Sequence, residues 1–371
     1  MKFEVSATEL LKKLQVVHGA VSSNPVLPIL EDFLFGIKKN TLTIRSTNLE
    51  TTIISKLSVV ADSNFSVAIP ATILLNTIKS LPEHPITISV DEESFGVTIK
   101  SQYGKYKLSG DKPEDFPKLP ERDNTNEFTI NSGSLGNSLT HTLFATSNDE
   151  LRIAMTGILF QIDYNKIIFV ATDAHKLVKY TIGNISSEES TSIIVPKKGL
   201  TLLKNALPSD EEVTLSYNQK NIFIDFKDTS YILRLIDAKY PDYNAVIPVD
   251  NNNVLAISRS DFLSSLRRIA IYANKTTNQV VLNLGDNSLN ISAKDLDFSN
   301  EANEDIECDY GGDAMQIGFN AKFLIEMLGV LKPEDIKIEM SNPTRAGIIV
   351  PSEQLENENL LMLIMPVMRS H

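Results

Sequence analysis

The sequence predicts an α+β protein built from three copies of one unit, each with two helices packed on antiparallel sheet. Three observations carry this expectation. One helical pattern recurs at intervals of roughly 125 residues, a second helix opened by Pro or Asn recurs at the same interval, and each copy holds paired alternating runs around a polar turn. At the start, "SATELLKKLQVV" (6–17) sets Leu10, Leu11, Leu14 and Val17 at helical spacing, with Ser6 and Glu9 placed as a capping box. The segment "SRSDFLSSLRRIAIYA" (258–273) repeats the spacing with Phe262, Leu263, Leu266 and Ile269. Between them, "NSGSLGNSLTHTLFAT" (131–146) is a degraded copy that keeps Leu135 and Leu139.

The second helix follows a short strand in each copy. "VAIPATILLNTIKSLPEHPITISV" (67–90), "IIVPKKGLTLLKNALPSDEEVTLSY" (193–217) and "IGFNAKFLIEMLGVLKPEDIKIEMS" (317–341) align through Pro70, Pro196 and Asn320. Proline suits a first helical turn because its missing N–H would have no partner there, and the later proline of each segment stops the helix. The remaining segments, 33–47, 157–172 and 280–294, are alternating runs around Asn, Asp or Gly, the pattern of a hairpin. Joints rich in proline and acidic residues at 109–127 and 237–253 set the expected domains at 1–122, 123–250 and 251–371.

Bulk properties narrow the class. A chain of 371 residues is too long for one ordinary core. The longest strongly apolar run, Leu360–Met368, is about half of what a membrane helix needs and contains Pro366. The N-terminal stretch lacks the apolar core of a signal peptide, and Cys308 has no second cysteine to pair with. Both features fit a reducing cytoplasm and no membrane partner. The formal charge of −12 argues against a generally basic nucleic-acid binder. Its distribution argues differently: the six predicted helices, taken as 7–17, 71–80, 133–144, 197–207, 260–275 and 320–332, are net positive, so the rest is more acidic still. Helices facing one way would line a basic surface suited to loose, salt-sensitive contact with phosphates. Lys12, Lys13, Lys197, Arg267 and Arg268 are the charge-based candidates.

The stretch "ATDAHKLV" (171–178) looks most like chemistry, since Asp173 and His175 follow a probable strand. Its histidine occurs only in the central copy: the corresponding turns read "STNLE" (46–50) and "AKDLD" (293–297), which marks the central turn as specialised. The histidines His18, His84, His141, His175 and His371 form no H-x-x-x-H, and no CxxC exists, so no metal site is expected. No Walker-type phosphate loop occurs, and no cofactor is expected. Two alternatives stand beside the reading developed next: a hydrolase using Asp173 and His175, and a repeat-built scaffold without a role on DNA.

Taken together, "NPVLPIL" (24–30), "ATDAHKLV", "IIVPKKG" (193–199), "YPDYNAVIP" (240–248), "IGFN" (317–320) and "LIMPVMR" (363–369) occur in an order that closely resembles the bacterial DNA polymerase III beta subunits, the sliding clamps. The resemblance runs the length of the chain. It implies a DNA-clamp fold in which a head-to-tail homodimer closes a six-domain ring around duplex DNA, without catalysis of its own. It implies as partners the replicative polymerase, a separate clamp loader and other proteins carrying a clamp-binding motif. It places a peptide-binding groove at Met155, Thr172, Ala174, His175, Lys176, Leu177, Pro241, Val246, Met365 and Pro366, with Val367 and Arg369 nearby. Arg152 and Lys176 are expected to hold the polar ends of a bound peptide. The dimer interface would join Tyr106, Leu108 and Leu81 to Ile271 and Tyr272, and Lys198 and Asn24 would face DNA. The chain departs from the family at Ala174, often glycine there, and at Lys176 and Ala245, both often arginine.

Overall fold

A computed structural model describes residues 1–22, 24–285 and 287–368. The six expected helices form as α1 (Ala7–Val17), α2 (Ala71–Lys79), α3 (Ser132–Thr142), α4 (Lys197–Ala206), α5 (Arg259–Ile269) and α6 (Ala321–Val330). In α1, Leu10, Leu14 and Val17 turn one buried face to the sheet, while Leu11 is only half-buried. Ser6 Oγ accepts the Glu9 N–H at 3.4 Å, but the Glu9 carboxylate takes Lys12 instead of returning to the cap, so the capping box is half made. Pro70 and Pro196 are the last residues of strands and stand just before α2 and α4, one position earlier than a first-turn proline. Asn320 caps α6, its Oδ1 accepting the Lys322 N–H at 3.0 Å. The helix expected over 260–275 stops at Ile269 and tightens into a 3-10 turn, Ala270–Tyr272, which leaves Lys275 outside it.

The chain forms two compact units: residues 1–133 with 198–235, and residues 134–197 with 236–371. In the first, eight strands lie in the spatial order Asn126–Asn131, Glu212–Tyr217, Asn221–Phe226, Thr229–Arg234, Thr51–Ser58, Thr41–Thr47, Asp32–Lys38 and Phe65–Pro70. A five-stranded sheet in the same unit runs Val60–Ala61, Lys2–Ser6, Pro85–Val90, Val97–Lys100 and Lys105–Leu108. The helices α1 and α2 pack side by side there. An added Cβ on Gly199 would come within 2.5 Å of Leu233 Cδ2, so glycine lets α4 lie close on its strand.

The second unit has a nine-stranded sheet in the order Thr191–Pro196, Gly157–Asp163, Lys166–Thr172, Lys176–Gly183, Glu358–Ile364, Gly347–Pro351, Asp335–Met340, Asn253–Ser258 and Asp309–Tyr310. Its four-stranded sheet runs Asn300–Glu307, Ser288–Asp295, Gln279–Gly285 and Met315–Asn320, and α5 packs against α6. The three expected hairpins are present, pairing Leu34 with Arg45, Leu159 with Val170 and Leu282 with Ile291.

Two pairings were not foreseen. Tyr231 of the central repeat pairs with Ile53 of the first, and Tyr180 of the central repeat pairs with Leu360 of the third. Sheet therefore runs on from one repeat into the next, and strands that would end each repeat as open edges are covered. No helix among the described residues is long and apolar enough to cross a membrane.

Candidate functional site

The turn after the strand Lys166–Thr172 is built by short-range hydrogen bonds. Thr172 Oγ1 donates to the Lys176 carbonyl at 2.8 Å and accepts the Ala174 N–H at 3.1 Å. Asp173 Oδ1 accepts the backbone N–H groups of His175 and Lys176, both at 2.9 Å. Its other oxygen takes the Lys176 ammonium at 2.8 Å. Asp173 therefore holds the turn, as aspartates after strands often do. It meets His175 through the backbone and not through the ring, so the acid–imidazole pair that a hydrolase needs is not assembled.

Lys176 does not point to solvent. It is only 5% exposed. Besides Asp173, its ammonium lies 3.3 Å from Glu326 Oε2 and 4.2 Å from the centroid of the Phe323 ring. Lys176, expected to hold a peptide's polar end, thus has its charge engaged within the fold. Arg152, the other expected grip, is exposed and has its Nε on Asp149 Oδ2 at 2.8 Å. The His175 ring stacks on Phe323, with centroids 6.1 Å apart. Neither Phe323 nor Glu326 stood out in the sequence, because α6 meets the turn only through the tertiary fold.

Ala174 sits at φ 78°, in the left-handed region that favours glycine. An L-residue there costs about 1–2 kcal/mol, partly offset because glycine has more unfolded-state freedom to lose. Ala174→Gly is expected to stabilise the chain by about 0.5–1 kcal/mol, read as a higher urea midpoint at unchanged slope. A lower midpoint would contradict the strain.

Leu177 is buried in an apolar cluster with Leu159, Ile168, Val170, Ile194, Tyr243, Ala346 and Leu363. At 2% exposure it is floor and not wall. Half-buried Ala154, Ile236, Tyr240 and Ile247 pack on this cluster, and the carbonyl of half-buried Met155 accepts the Ser147 N–H at 2.8 Å. Exposed apolar groups include Pro241, Val246 and Met365, three of the candidate groove residues, and Leu151 and Ile153, which were not among the candidates. The C-terminal segment is pinned on two sides. Met365 N–H donates to the His175 carbonyl at 2.9 Å, and Val367 N–H to the Gly318 carbonyl at 2.8 Å, with half-buried Pro366 between them. Gln279 Nε2 donates to the Val367 carbonyl at 3.1 Å. Arg369 lies outside the described residues.

The turn's backbone does not distinguish the central copy from the first. In the first repeat Asn48 Oδ1 accepts the N–H groups of Glu50 and Thr51 at 3.1 and 2.7 Å, and Thr47 Oγ1 accepts the Leu49 N–H at 3.1 Å. Leu49 even shares the left-handed backbone, at φ 75°. What differs is the floor. The strand positions occupied by Leu159, Ile168, Val170 and Leu177 are Leu34, Thr43, Arg45 and Thr52 in the first repeat. Arg45 donates to the Pro117 carbonyl at 2.7 Å and lies over the Phe116 ring. One copy has an apolar floor beneath the turn, and the other a polar one.

The remaining candidates fall in two groups. Lys12 is paired with Glu9 at 2.8 Å, Lys13 with Asp228 at 3.7 Å, and Arg268 with Glu304 at 2.6 Å. Lys197 reaches Asn148 Oδ1 at 3.3 Å; burial, and then the Lys176 charge, lower its pKa against the pull of Glu326. Lys198, Arg267 and Asn24 are exposed, and neither Lys198 nor Arg267 forms an ion pair among the described residues. Tyr106 lies on the edge strand Lys105–Leu108 and shares with Leu81 a concavity of about 430 Å³, while Leu108 is half-buried. Ile271 and Tyr272 project from their 3-10 turn, 67% and 42% exposed. Among the described residues, no group of three or more His, Cys, Asp or Glu could hold a metal ion.

Comparison with known proteins covers nearly the whole chain. Residues 1–120, 129–242 and 244–368 match the N-terminal, central and C-terminal domains of the DNA polymerase III beta subunit. The beta sliding clamp of Proteus mirabilis is 30% identical over 361 residues, 96% of each chain. That of Escherichia coli K12 is 28% identical over 369 residues, 99% of this chain and 100% of its own. The crystal structure of a Pseudomonas aeruginosa sliding clamp bound to griselimycin superposes with a TM-score of 0.94, at 27% identity and full coverage of both chains.

Proposed function

The chain belongs to the DNA polymerase III beta subunit family, the sliding clamps, and from that premise we propose that two copies close head to tail into a ring around duplex DNA. The ring tethers the replicative polymerase and other factors to the template in the cytoplasm. The observation that carries this reading is the full-length match to all three clamp domains in order. The domains are taken as 1–122, 123–250 and 251–371. The chain is not an enzyme; nucleotidyl transfer is the work of the polymerase partner.

A chain with unlike ends closes a ring through a heterologous interface when the rotation completes a circle. The ends suit each other. The edge strand Lys105–Leu108 carries Lys105 and Lys107 beside Tyr106, and the edge strand Asn300–Glu307 carries Glu301, Glu304, Asp305 and Glu307. Opposite charge on two open edges favours pairing with a second copy over pairing of like with like. Ile271 and Tyr272 supply exposed apolar surface for the concavity beside Leu81 and Tyr106.

Contact with DNA is weak by design of the charges. Lys12, Lys13 and Arg268 are already neutralised by carboxylates, which leaves Lys198 and Arg267 as the exposed cations among the candidates. Only a net cation releases counterions from DNA, so the salt dependence of binding is shallow and the ring slides. Tethering then works by raising the effective concentration of polymerase at the primer end. Partner peptides dock beside the central turn, over the Leu177 floor, where Met155 and Met365 adapt to different sequences.

The test is primer extension with the cognate polymerase and loader on a long singly primed circle. Adding this chain is expected to lengthen the products of a single binding event at least ~10-fold through the tethering effect. Unchanged product length would rule out the processivity role.

A further inference from the structure

Within the second unit a cavity of about 300 Å³ is lined by His141, Tyr180, Leu331, Pro351, Glu358 and Leu360 and by no residue of the turn just described. Its polar centre is built. Glu358 Oε1 accepts the Ser134 hydroxyl at 2.5 Å, and Oε2 accepts the buried Tyr180 hydroxyl. Each carboxylate oxygen has room for a further donor. No basic side chain lies within ion-pair distance of Glu358 among the described residues.

His141 does not supply the missing charge. Its ring stacks on Tyr180, with centroids 5.3 Å apart and planes at 23°, and its Nδ1 meets the Asn137 carbonyl at 2.7 Å. Burial lowers its pKa, with the Lys332 charge acting the same way against the Asn137 carbonyl and the Glu358 charge, which disfavours the charged ring. Lys332 and Glu353 also line the cavity, but neither Lys332 nor any other basic group is ion-paired to Glu358 among the described residues, so an aromatic face and apolar walls surround a carboxylate without a bonded cation. A carboxylate in such surroundings favours a cation brought in on an apolar body, and an aromatic pair adds stacking and cation–π attraction. The volume is at the lower end of small-molecule pockets and fits one ring with a short arm.

We propose that this cavity is a binding site for a compact aromatic ammonium, whose ring packs beside His141 and Tyr180 and whose N–H groups donate to Glu358. Because Asn137, His141 and Tyr180 come from the central repeat and Leu331, Pro351 and Leu360 from the third, an occupant bridges the two.

The experiment titrates the full chain with phenethylamine, phenethyl alcohol and 3-phenylpropionate, read by calorimetry and by histidine ring NMR signals. Phenethylamine is expected to bind saturably and to shift the His141 signals but not those of His175. The alcohol is expected to bind ~10-fold more weakly and the carboxylate not at all. In Glu358→Gln, whose carbonyl can still accept from Ser134 or Tyr180, the preference for the amine over the alcohol should vanish. Equal binding of the three probes, no saturable binding of the amine, or shifts confined to His175 would overturn the proposal. The wild-type probe comparison decides the matter even if the variant does not fold.

Discussion

Ile271→Ala combined with Tyr272→Ala is expected to convert the dimer to a monomer while each protomer stays folded. Both side chains are exposed in the single chain, 67% and 42%, so their removal costs the protomer within about 0.5 kcal/mol. In the ring they would be buried. Losing their apolar surface removes about 3 kcal/mol per interface. Two interfaces hold a two-chain ring, so the loss is counted twice, about 6 kcal/mol or ~10⁴-fold in the dissociation constant. Analytical ultracentrifugation across micromolar to nanomolar concentration reads it directly. An unshifted dimer would remove Ile271 and Tyr272 from the interface.

Asp173→Ala is expected to have the largest effect on the proposed docking site. The substitution strips the turn of the acceptor for two backbone N–H groups and leaves the buried Lys176 ammonium with Glu326 alone. Breaking one partner out of a buried ion pair costs ~3–5 kcal/mol, and the remaining Glu326 places the value near the lower end. Asp173→Asn keeps one oxygen for the backbone bonds but sets an amide against the Lys176 ammonium, so a smaller loss of about 1–2 kcal/mol is expected. Urea denaturation should rank wild type, Asn and Ala in that order, with affinity for a partner peptide falling in parallel. If Asp173 were a catalytic acid, Asn would abolish an activity without moving stability, and that pattern would contradict the turn-holding role.

Much of this architecture was legible along the chain because its signals are local. Helical spacing in Leu10, Leu14 and Val17, the prolines at 70 and 196, and the alternating runs around polar turns each depend on near neighbours. What sequence alone could not show depends on residues far apart. Tyr231 with Ile53, and Tyr180 with Leu360, pair strands from different repeats, and nothing in either strand names its partner. Lys176 illustrates the same limit at the site. Its residue type suggested a solvent-facing grip, but Glu326 and Phe323 on α6 take its charge indoors. The helices do carry excess positive charge, but Lys275 and Lys332 lie beyond the ends of α5 and α6, and Asp228 and Glu304, outside the helices, neutralise Lys13 and Arg268.

The turn "ATDAHKLV" shows a subtler case. Its histidine is unique to the central copy, but the hydrogen-bonded loop recurs around Asn48 with Leu49 in the same backbone state. The distinction lies one layer down, where Val170 and Leu177 replace Arg45 and Thr52. A docking groove needs an apolar floor more than it needs a particular turn, and only strand register reveals which residues form that floor.

The central claim is topological, and retention on circular against linear DNA tests it most directly. The chain is loaded onto a nicked circle by its loader, the complex is isolated by gel filtration in high salt, and the circle is then cut once. A closed ring is expected to stay with the intact circle despite the salt and to run off the ends after cutting, because linkage and not ionic contact holds it. Loss from the uncut circle in high salt, or equal retention after linearisation, would contradict the account.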